Sequence, residues 1–562
     1  MNSTKDALVR NRRNEISRSW PISATDRRPA ADQFDVVIVG FGAAGACAAI
    51  AAAEHGARVL VVDRSLGGGA SALSGGVVYA GGGTRYQYAA GYPDTPREMY
   101  CYLSQEIAGA VNDATLQRFC EESVQRLSWL EQHGARFAGT LCDYKTSYPT
   151  DRHYLYFSGN EQAYPYCLYA MPAPRGHRQV AKGMGSGRAL WQALRRSAES
   201  LGVQFLPLTR AEEVLMVDGR VAGLRCRSVT DCNLIMLQHY LRTAPLRAKL
   251  TNWAPAIGRA FPTGERRLWR HSGELIVEAP NVILAAGGFA FNRDMLLYNA
   301  PAHAGISPMG TEGDDGSGIM LGVSVGGATA YLNRLAAWRF LSPPSAMLQG
   351  VSVGVNGERI ANEDLYGATH ADVMVRNFGG KGFLILDAAM WQRARAQLPY
   401  QTTPLQRLQM AAVLTTERRK AATLDDLAVK LDISPSGLAA TVAAYNHAAA
   451  ESLQDPARKA TAMLRPLRQP PFYGVDISIR PSMAYFVPGM TLGGLKVDGA
   501  SGEVLRDDGS AISGLYAAGR TAVGVCSNSY ISGLSLADCV FSGKRAGEHA
   551  AVRAGTTSSR HS

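Results

Sequence analysis

Residues 35–63 read DVVIVGFGAAGACAAIAAAEHGARVLVVD, in which two short apolar runs flank a glycine-rich turn and an alanine-rich segment. The apolar runs predict buried strands, and the alanines between them predict a helix. Gly40 permits a tight turn after the first strand, Gly42 lets the backbone approach a pyrophosphate, and Gly45 lets helix and strand pack closely. Asp63 ends the second strand, where a carboxylate accepts hydrogen bonds from a ribose. The stretch therefore predicts a dinucleotide-binding α/β domain.

The phosphates of such a dinucleotide are expected at the N-terminus of the predicted helix. There Ala43 and Ala44 present backbone N–H groups without intrahelical partners, and the helix dipole favours negative charge. The next segment, residues 64–76, reads RSLGGGASALSGG. Such a Gly/Ser run leaves backbone amides free to meet a pyrophosphate, a ribityl chain or an isoalloxazine edge. A flexible surface loop is the alternative interpretation of this run.

Two distant segments favour FAD over a nicotinamide dinucleotide. Residues 282–288 (VILAAGG) and 515–520 (LYAAGR) each predict a short buried strand that ends in small residues, where backbone must pass a ligand. A helix that begins near Ser535 would face the flavin pyrimidine, whose oxygen gains negative charge on reduction. We expect non-covalent FAD, because no histidine is placed for a covalent link. The candidate cofactor-binding residues are Gly40, Gly42, Ala43, Ala44, Gly45, Asp63, Arg64, Ser65, Ala70, Ser71, Ser74, Gly75, Gly76, Ala211, Ala286, Gly287, Gly519, Arg520, Ser535 and Leu536.

Length and composition exclude several classes of protein. A chain of 562 residues is too long for one core, so two or three domains are expected. It has no run of about 18 apolar residues, which predicts no transmembrane helix. Nine scattered cysteines without CxxC spacing fit reduced thiols in a cytoplasm and indicate no metal site. The net charge of +11 is not accompanied by any nucleic-acid motif, so no nucleic-acid partner is expected.

Much of the positive charge lies in a segment that we call the basic segment (residues 229–271). It combines arginines with tryptophan and leucine, a composition that suits an amphipathic element on an anionic bilayer. The alternative is an insertion that folds over the protein's own surface, or an oligomer contact. The expected location is cytoplasmic, and peripheral to the inner membrane face if the bilayer interpretation holds.

Composition and hydrophobic pattern divide the chain into several predicted regions. Residues 1–31 carry arginines without an apolar core and predict a disordered basic tail rather than a secretory signal. Residues 32–295, which contain the basic segment, and residues 461–562 predict two parts of one FAD-binding domain. Residues 296–460 show helical patterns at 386–396, 404–414 and 424–454 and predict an inserted α+β cap. The fold class is therefore α/β, a Rossmann-like FAD-binding domain split in sequence, with the active site expected at its junction with the cap.

Residues from about 35 to 550 resemble the fumarate reductase/succinate dehydrogenase-type FAD flavoproteins, a family that includes the 3-ketosteroid dehydrogenases. The resemblance implies an oxidoreductase that acts on CH–CH groups. It is specific for the family and much less so for the substrate. The matching motifs are GFGAAG at 40–45, GGGASALSGG at 67–76, AAGG at 285–288, NED at 362–364, PPFY at 470–473, TLGGL at 491–495 and YAAGR at 516–520.

The groups with which this family binds and protonates a dicarboxylate are missing from the chain. Its dicarboxylate reductases carry an arginine just after the NED-like motif, and here residues 365–368 contain none. They carry a histidine before the TLGGL-like motif, where Met490 stands, and an arginine where Tyr530 stands. Because two carboxylates cannot be bound in a closed site without such partners, fumarate and succinate are not the expected substrates.

Neutral hydroxyls stand in place of those groups, and they suit a ketone. Residues 527–547 look like those of the 3-ketosteroid Δ4-(5α)-dehydrogenases, and the resemblance assigns catalytic roles to Tyr530, Ser532 and the cap residue Tyr366. A free phenol titrates near pH 10, so we predict a relay in which the substrate proton passes from Tyr530 through Ser532 to Tyr366. Backbone N–H groups at Ser532 and Gly533 would stabilise the enolate oxygen, and the hydride would pass to flavin nitrogen 5.

Other functions stay open from the sequence. A Δ1-dehydrogenase would use the tyrosine of the PPFY motif, Tyr473, although the stretch that follows it is longer than in those enzymes. Dehydrogenation of a small cyclic ketone and reduction of an unsaturated acid are further enzymatic alternatives. A membrane-docked flavin protein that relays electrons is the non-enzymatic alternative. The physiological electron acceptor is not indicated by any motif.

Overall fold

The computed structural model describes residues 34–558 apart from residues 231, 233, 304, 340, 452, 483 and 484. The tail expected at residues 1–31 lies outside the described residues, as does the expected start of the first domain at residue 32.

The described residues alternate between short strands and helices. The strands are β1 (Val36–Val39), β2 (Val59–Asp63), β3 (Val77–Tyr79), β4 (Leu155–Tyr156), β5 (Gly176–Arg178), β6 (Gln204–Pro207), β7 (Thr209–Val217), β8 (Arg220–Val229), β9 (Ser272–Glu278), β10 (Val282–Leu284), β11 (Ser307–Pro308), β12 (Thr329–Ala330), β13 (Leu335–Ala337), β14 (Val351–Val353), β15 (Phe383–Leu386), β16 (Arg418–Ala421), β17 (Phe472–Asp476), β18 (Pro488–Thr491), β19 (Gly494–Leu495), β20 (Glu503–Leu505) and β21 (Ala511–Ala517). The α-helices are α1 (Ala43–Glu54), α2 (Gly69–Leu73), α3 (Arg85–Ala89), α4 (Pro96–Ile107), α5 (Asp113–Glu121), α6 (Ser123–Gln132), α7 (Ser186–Ser200), α8 (Leu234–Trp253), α9 (Pro255–Ala260), α10 (Glu265–Leu268), α11 (Arg293–Asn299), α12 (Ser317–Val323), α13 (Gly367–Phe378), α14 (Ala388–Gln401), α15 (Pro404–Thr416), α16 (Leu424–Leu431), α17 (Pro435–Ala450) and α18 (Leu534–Ser558).

The central sheet has six strands in the order β20-β21-β10-β1-β2-β6. β1 pairs in parallel with β2 and with β10, and β10 pairs in parallel with β21, whereas the edge strand β20 is antiparallel. β1, β2 and β10 consist almost entirely of buried valine, isoleucine and leucine, as expected where helices cover both faces of a parallel sheet. Because these strands come from widely separated parts of the chain, the predicted split Rossmann-like domain is confirmed.

The turn from β1 to α1 needs glycine for steric reasons. Gly40 has φ +100, and a Cβ there would lie 2.5 Å from the carbonyl oxygen of Ala285. A Cβ on Gly45 would lie 1.9 Å from the carbonyl oxygen of Gly40, so only glycine lets α1 approach β1 this closely. On its other side α1 packs against α18, where Gly543 and Gly547 face the backbone of α1. The N-terminus of α1 is thereby fixed at the carboxyl end of the sheet.

The basic segment connects β8 to β9 and folds back onto the protein. Leu237, Tyr240 and Leu268 from its helices form a buried cluster with Leu208 and Val229. This contact agrees with an insertion that packs on the protein's own surface. The opposite side of the segment carries exposed apolar residues, at Leu234, Ile235, Leu246 and Ile257.

The cap contains a four-stranded sheet, β14-β15-β17-β16, with α14 to α17 packed around it. The helix expected across residues 424–454 is two helices, because Asp432 adopts φ +56 at the end of α16 and Pro435 begins α17. The boundary expected at residue 460 falls before β17, which pairs with β15 and β16 and is therefore part of the cap sheet.

Within the described part of the chain, no helix combines the length and the apolar character that crossing a bilayer requires. The same residues contain no group of three or more histidine, cysteine, aspartate or glutamate side chains placed to hold a metal ion.

Candidate active site

A cavity of about 640 Å³ extends from the carboxyl end of the central sheet to the cap. Every predicted cofactor-binding residue lines it except Gly45, which lies in the contact between α1 and β1. The predicted catalytic residues Tyr366, Tyr530, Ser532 and Gly533 also line it. The two sets of residues thus share one continuous space.

The middle of the cavity is formed by the N-terminus of α1 and the Gly/Ser run. Ser71 Oγ accepts a hydrogen bond of 3.0 Å from the Ala43 N–H. A Cβ on Gly42 would lie 3.5 Å from the same hydroxyl, so the backbone here is open toward the cavity. The Ala43 N–H expected to be free is therefore engaged by Ser71, and the Ala44 N–H at the same helix N-terminus is the expected contact for the phosphates.

The Asp63 side chain lies at one end of the cavity and organises the turn around it. Its Oδ2 accepts a hydrogen bond of 2.8 Å from the Phe41 N–H, and its Oδ1 accepts bonds of 2.7 Å from the N–H and the hydroxyl of Ser65. Arg64 Nη1 lies 2.5 Å from Asp315. The acid therefore holds the backbone that surrounds the expected ribose position.

The cavity wall also contains a buried cation with spare hydrogen-bonding capacity. Arg520 Nη2 donates to Asp314 Oδ1 at 2.5 Å, whereas Arg520 Nη1 is buried and has no hydrogen-bond partner among the described residues. Gly287 and Gly288 leave the space for this pair, because a Cβ at either position would meet Asp314 or Thr491 within 2.4 Å. An unpaired guanidinium nitrogen in a cavity wall is a site for an acceptor atom of a ligand.

Two tyrosines and a tryptophan form an aromatic group where the cap meets the FAD-binding domain. The Tyr366 hydroxyl accepts a hydrogen bond of 3.0 Å from Trp338 Nε1. The Tyr530 ring lies 5.0 Å from the Trp338 ring in an edge-to-face arrangement, and 6.3 Å from the Tyr366 ring. The structure thus brings together Tyr366 and Tyr530, which are far apart in sequence.

Ser532 has a partner that the sequence did not single out. Its Oγ lies 2.8 Å from the hydroxyl of Tyr156, which is fully buried in β4. No motif or spacing distinguishes Tyr156, because it is one of seven tyrosines within residues 144–169. A segment of this kind is typical of a packed irregular region. Tyr148 and Tyr156 instead border the site.

The predicted order of the relay, from Tyr530 through Ser532 to Tyr366, differs from the observed contacts. Among the described residues no hydrogen bond joins the hydroxyls of Tyr530 and Ser532, and the Gly533 N–H faces the Tyr530 hydroxyl instead. Ser532 lies between Tyr156 and Tyr366, and its hydroxyl lowers the pKa of Tyr366 in part. A substrate oxygen between Tyr530 and Ser532 would complete the series.

One of the two predicted oxyanion donors is already engaged. The Ser532 N–H donates to the Ser158 carbonyl at 3.1 Å, so it is not available to a substrate. The expectation for this N–H was therefore wrong, because the loop pairs with residues 158–159. Gly533 has φ +91, and a Cβ there would lie 2.9 Å from the Tyr79 backbone nitrogen. Its N–H remains directed toward the Tyr530 hydroxyl.

Burial raises the pKa of all three tyrosines at the site. Desolvation is the largest cause for Tyr530, and the Gly533 N–H opposes it. Desolvation also raises the pKa of Tyr366, where hydrogen bonds with Trp338 and Ser532 lower it in part. It likewise raises the pKa of Tyr156, where the hydrogen bond with Ser532 lowers it in part. At neutral pH these side chains are phenols, so a proton must be relayed rather than taken by a free phenolate.

Two buried polar residues, Asn160 and Glu106, connect the segments that carry Tyr366 and Tyr530. Asn160 Oδ1 accepts a hydrogen bond of 2.6 Å from the Tyr366 N–H, and Asn160 Nδ2 donates to Glu106 Oε1 at 2.6 Å. Glu106 Oε2 in turn accepts a hydrogen bond of 3.0 Å from Ser529 Oγ, next to Tyr530. Asn160 and Glu106 therefore link the start of the cap helix α13 to the loop that carries Tyr530.

The wall of the cavity beside Tyr530 is apolar and aromatic. Trp338, Met410, Phe486 and Met490 line it. Among the described cap residues, 296–460, no lysine or arginine contributes to the wall. Tyr473 is not part of the wall, because its ring stacks on Trp391 at 4.2 Å inside the cap. This end of the cavity suits an apolar ring system with a single carbonyl group.

Comparison with known proteins identifies relatives along the whole described chain. A family model described as FAD binding domain matches residues 35–536. The 3-oxo-5-alpha-steroid 4-dehydrogenase of Comamonas testosteroni is 36% identical over 514 residues, which cover 90% of this chain and 96% of that protein.

Solved structures give the same relationship. The 3-ketosteroid-delta4-(5alpha)-dehydrogenase from Rhodococcus jostii RHA1, in complex with 4-androstene-3,17-dione, has a TM-score of 0.77 and 30% identity, covering 94% of this chain and 99% of that chain. The 3-ketosteroid delta1-dehydrogenase from Sterolibacterium denitrificans has a TM-score of 0.64 at 19% identity, covering 93% and 100%. The second similarity concerns the fold alone.

Proposed function

The chain belongs to the FAD binding domain family, and on that premise we propose that it desaturates a 3-ketosteroid at the bond between carbons 4 and 5. It is an FAD-dependent oxidoreductase that acts on CH–CH groups. The observation that carries the proposal is the convergence of Tyr366, Tyr530 and Ser532 on an apolar wall of the cavity. The similarity to proteins named as 3-ketosteroid 4-dehydrogenases supports it.

The residues present fit FAD as the cofactor. The cavity continues from the N-terminus of α1 to the N-terminus of α18, where the phosphates and the flavin pyrimidine would each meet a helix dipole. Arg520 Nη1, buried and unpartnered, would find an acceptor in the same ligand. When bound, FAD supplies the hydride acceptor for the desaturation.

Proton removal falls to the hydroxyl groups of the chain. We assign the role of proton acceptor to Tyr530, because its hydroxyl is the one that faces both the apolar wall and the Gly533 N–H. The carbon 4 proton of a 3-ketosteroid is acidified by the adjacent carbonyl, so a hydrogen-bonded phenol is a sufficient acceptor once its own proton can leave. Substrate binding brings the Tyr530 hydroxyl within hydrogen-bond reach of Ser532 in this proposal, so that its proton can pass to the bonded hydroxyls of Ser532 and Tyr156.

Stabilisation of the enolate oxygen falls to donors opposite Tyr530. The Tyr366 hydroxyl, which accepts from Trp338, can donate its own hydrogen to the 3-keto oxygen. The Gly533 N–H faces the Tyr530 hydroxyl and the Ser532 N–H is engaged with Ser158, so the Tyr366 hydroxyl is the donor that we assign to this oxygen. Removing one such donor typically costs about 10²–10³ in turnover.

The enzymatic alternatives have less support at this site. A Δ1-dehydrogenase that used Tyr473 would need that ring to leave its stack on Trp391 and enter the cavity. A dicarboxylate substrate would face a wall to which the described cap residues contribute no cation. A small cyclic ketone satisfies the same hydroxyls, and relative rates on small and steroidal ketones would separate the two.

The basic segment supports a second proposal, a contact with a membrane surface. We propose that the basic segment touches an anionic bilayer through its exposed residues, with Leu234, Ile235, Leu246 and Ile257 entering the interface. Sedimentation with vesicles that contain anionic lipid would test this contact. A flavin protein that only relays electrons would bind FAD and fail to oxidise any ketone with an artificial acceptor.

The decisive experiment is anaerobic mixing of the purified protein with 5α-androstane-3,17-dione, following the bleaching of the flavin and the double bond in the product. We expect rapid bleaching and a 4-ene product. Tyr530→Phe should slow the bleaching by about 10²-fold or more, and Tyr473→Phe is the matched control that should leave it unchanged. A 1-ene product, or no bleaching with any 3-ketosteroid, would overturn the proposal.

A further inference from the structure

Helix α8 of the basic segment forms the outer wall of one end of the cavity. Tyr240, Arg247, Thr251 and Asn252 line the cavity from this helix. Residues 209–211 of β7, which pairs with β8, line the same cavity. The helix therefore does more than pack on the protein's surface, because it encloses space that belongs to the cofactor cavity.

The enclosed end is the nucleoside end of the cofactor cavity. In this type of sheet the acid at the end of the second strand marks the ribose, and Asp63 occupies that place. Asp63 is close enough to Tyr240 for its charge to contribute to the raised pKa of the phenol, after burial and Glu265. Tyr366 and Tyr530 line the same cavity where the cap meets the FAD-binding domain.

Helix α8 is fastened across the cavity by polar contacts with a loop near the cap. Asn252 Nδ2 donates to the Gly310 carbonyl at 2.7 Å, and the Gly310 N–H donates to Asn252 Oδ1 at 2.9 Å. Arg247 forms an ion pair with Glu312 in the same loop. Beneath the helix, Leu237 and Tyr240 belong to a buried apolar cluster. The helix is thus anchored on both sides of the space that it covers.

We propose that α8 is a cofactor-binding element that holds the adenosine half of FAD, with the Asn252–Gly310 and Arg247–Glu312 contacts keeping it closed over the ligand. The adenine and ribose are a flat apolar ring and a polyol, and the helix offers the aromatic ring of Tyr240 with the polar side chains of Thr251 and Asn252. The inference rests on FAD as the cofactor and not on the steroid substrate, so the two can fail separately.

The test compares FAD with FMN, which lacks the adenosine. Apoprotein is titrated with each flavin, and release is followed by rapid gel filtration, for the wild type and for the double variant Arg247→Ala/Asn252→Ala. We expect the Kd for FAD to rise about tenfold, about 1.4 kcal/mol, and FAD release to quicken in proportion. The Kd for FMN should stay within roughly twofold. The matched control, Arg242→Ala/Lys249→Ala, removes exposed cations from the same helix and should change neither value.

An unchanged Kd for FAD would overturn the inference, and so would an equal loss of affinity for both flavins. Wild-type protein provides a second measurement that does not depend on the variant folding. Hydrogen exchange of the α8 amides should slow when FAD binds and should not slow when FMN binds. Equal protection by the two flavins would also contradict the proposal.

Discussion

Single residues at this site act through contacts that their neighbours in sequence do not reveal. Ser532 was expected to relay a proton between Tyr530 and Tyr366. Its hydroxyl does interact with that of Tyr366, but it lies 2.8 Å from the hydroxyl of Tyr156 and has no hydrogen bond to Tyr530 among the described residues. Its N–H, expected to stabilise an oxyanion, donates to Ser158. Both differences arise because the chain of residues 156–159 packs against the catalytic loop. The sequence assigns residue types to the site, and packing assigns their partners.

Tyr156→Phe should slow substrate oxidation while leaving FAD binding intact. The substitution removes one hydrogen bond to Ser532 and keeps the ring that fills β4, at a cost of about 1 kcal/mol, or roughly fivefold in rate. The measurement is the rate of flavin bleaching at saturating 3-ketosteroid. Tyr169→Phe, at an exposed tyrosine of the same segment, is the control. Equal rates for wild type and Tyr156→Phe would exclude Tyr156 from the proton path.

Turnover should increase with pH across the alkaline range. Burial raises the pKa of the Tyr530 phenol above its ordinary value of about 10. Because proton abstraction needs an acceptor that can lose its own proton, the rate should climb as pH rises and should not level off below about pH 10. The pH profile of kcat in Tyr530→Phe should lose this rise. A wild-type profile that is flat from neutral to alkaline pH would contradict the assignment of Tyr530.

At the scale of elements, the site depends on the meeting of a cap helix and a loop of the FAD-binding domain. Asn160 accepts a hydrogen bond from the Tyr366 N–H at the start of α13 and donates one to Glu106. Glu106 in turn accepts a hydrogen bond from the Ser529 hydroxyl. Burial raises the pKa of Glu106, whereas the donors Tyr102, Asn160 and Ser529 lower it. A polar network of this kind is costly when one member is lost, because the others stay buried without partners.

Asn160→Ala should separate catalysis from cofactor binding. It leaves the Tyr366 N–H without its acceptor, at about 1–3 kcal/mol. It also removes one of two donors to Glu106 Oε1, the other being the Tyr102 hydroxyl. We expect kcat to fall more than the KM changes, and the urea midpoint to fall as well, with the Kd for FAD unaffected. Asn160→Asp retains an acceptor for the Tyr366 N–H and should recover part of kcat. Loss of FAD affinity in step with kcat would indicate a general structural role.

Whole-molecule stability should depend on a buried ionic group in the cap. Glu363 of the NED motif lies 2.6 Å from Arg359 and 2.9 Å from Lys459, all buried or nearly so. Burial alone would raise the pKa of Glu363, but Arg359 and Lys459 hold it well below its usual range. Because its pKa is lowered, Glu363 binds a proton at a lower pH in the folded state than in the unfolded state. The resulting stability is present above about pH 4.3 and is lost as pH falls below that value.

Glu363→Gln should therefore unfold at lower denaturant concentration at neutral pH. Removing one partner of a buried ion pair costs about 3–5 kcal/mol, because Lys459 keeps an uncompensated charge and Arg359 retains only its ion pair with Asp455. The measurement is urea unfolding at neutral and acidic pH. The difference from the wild type should shrink as pH falls, and Glu358→Gln, at an exposed position, should behave as the wild type. A constant difference at all pH values would contradict the electrostatic cause.

Local rules were sufficient for the cofactor half of the molecule. The run from Asp35 to Asp63 carries its turn glycines, its strands and its ribose acid within one βαβ unit, so short-range sterics determine the local structure. The same rules predicted a single helix across residues 424–454. The structure has two helices there, because one ends at Asp432 and the next begins at Pro435. They also predicted that the cap ends at residue 460. In the structure β17, which follows that residue, belongs to the cap sheet because it pairs with β15.

The amino-acid pattern alone established an FAD flavoprotein with a split nucleotide domain, a cap and hydroxyl groups in place of a dicarboxylate site. It did not reveal the Tyr156–Ser532 pair, the Asn160–Glu106 link or the position of α8 over the cofactor cavity. Each of these joins residues that are distant in sequence and carry no periodic or spacing signal. Such contacts exist only once burial has brought separate segments together and each buried polar group has had to find a partner.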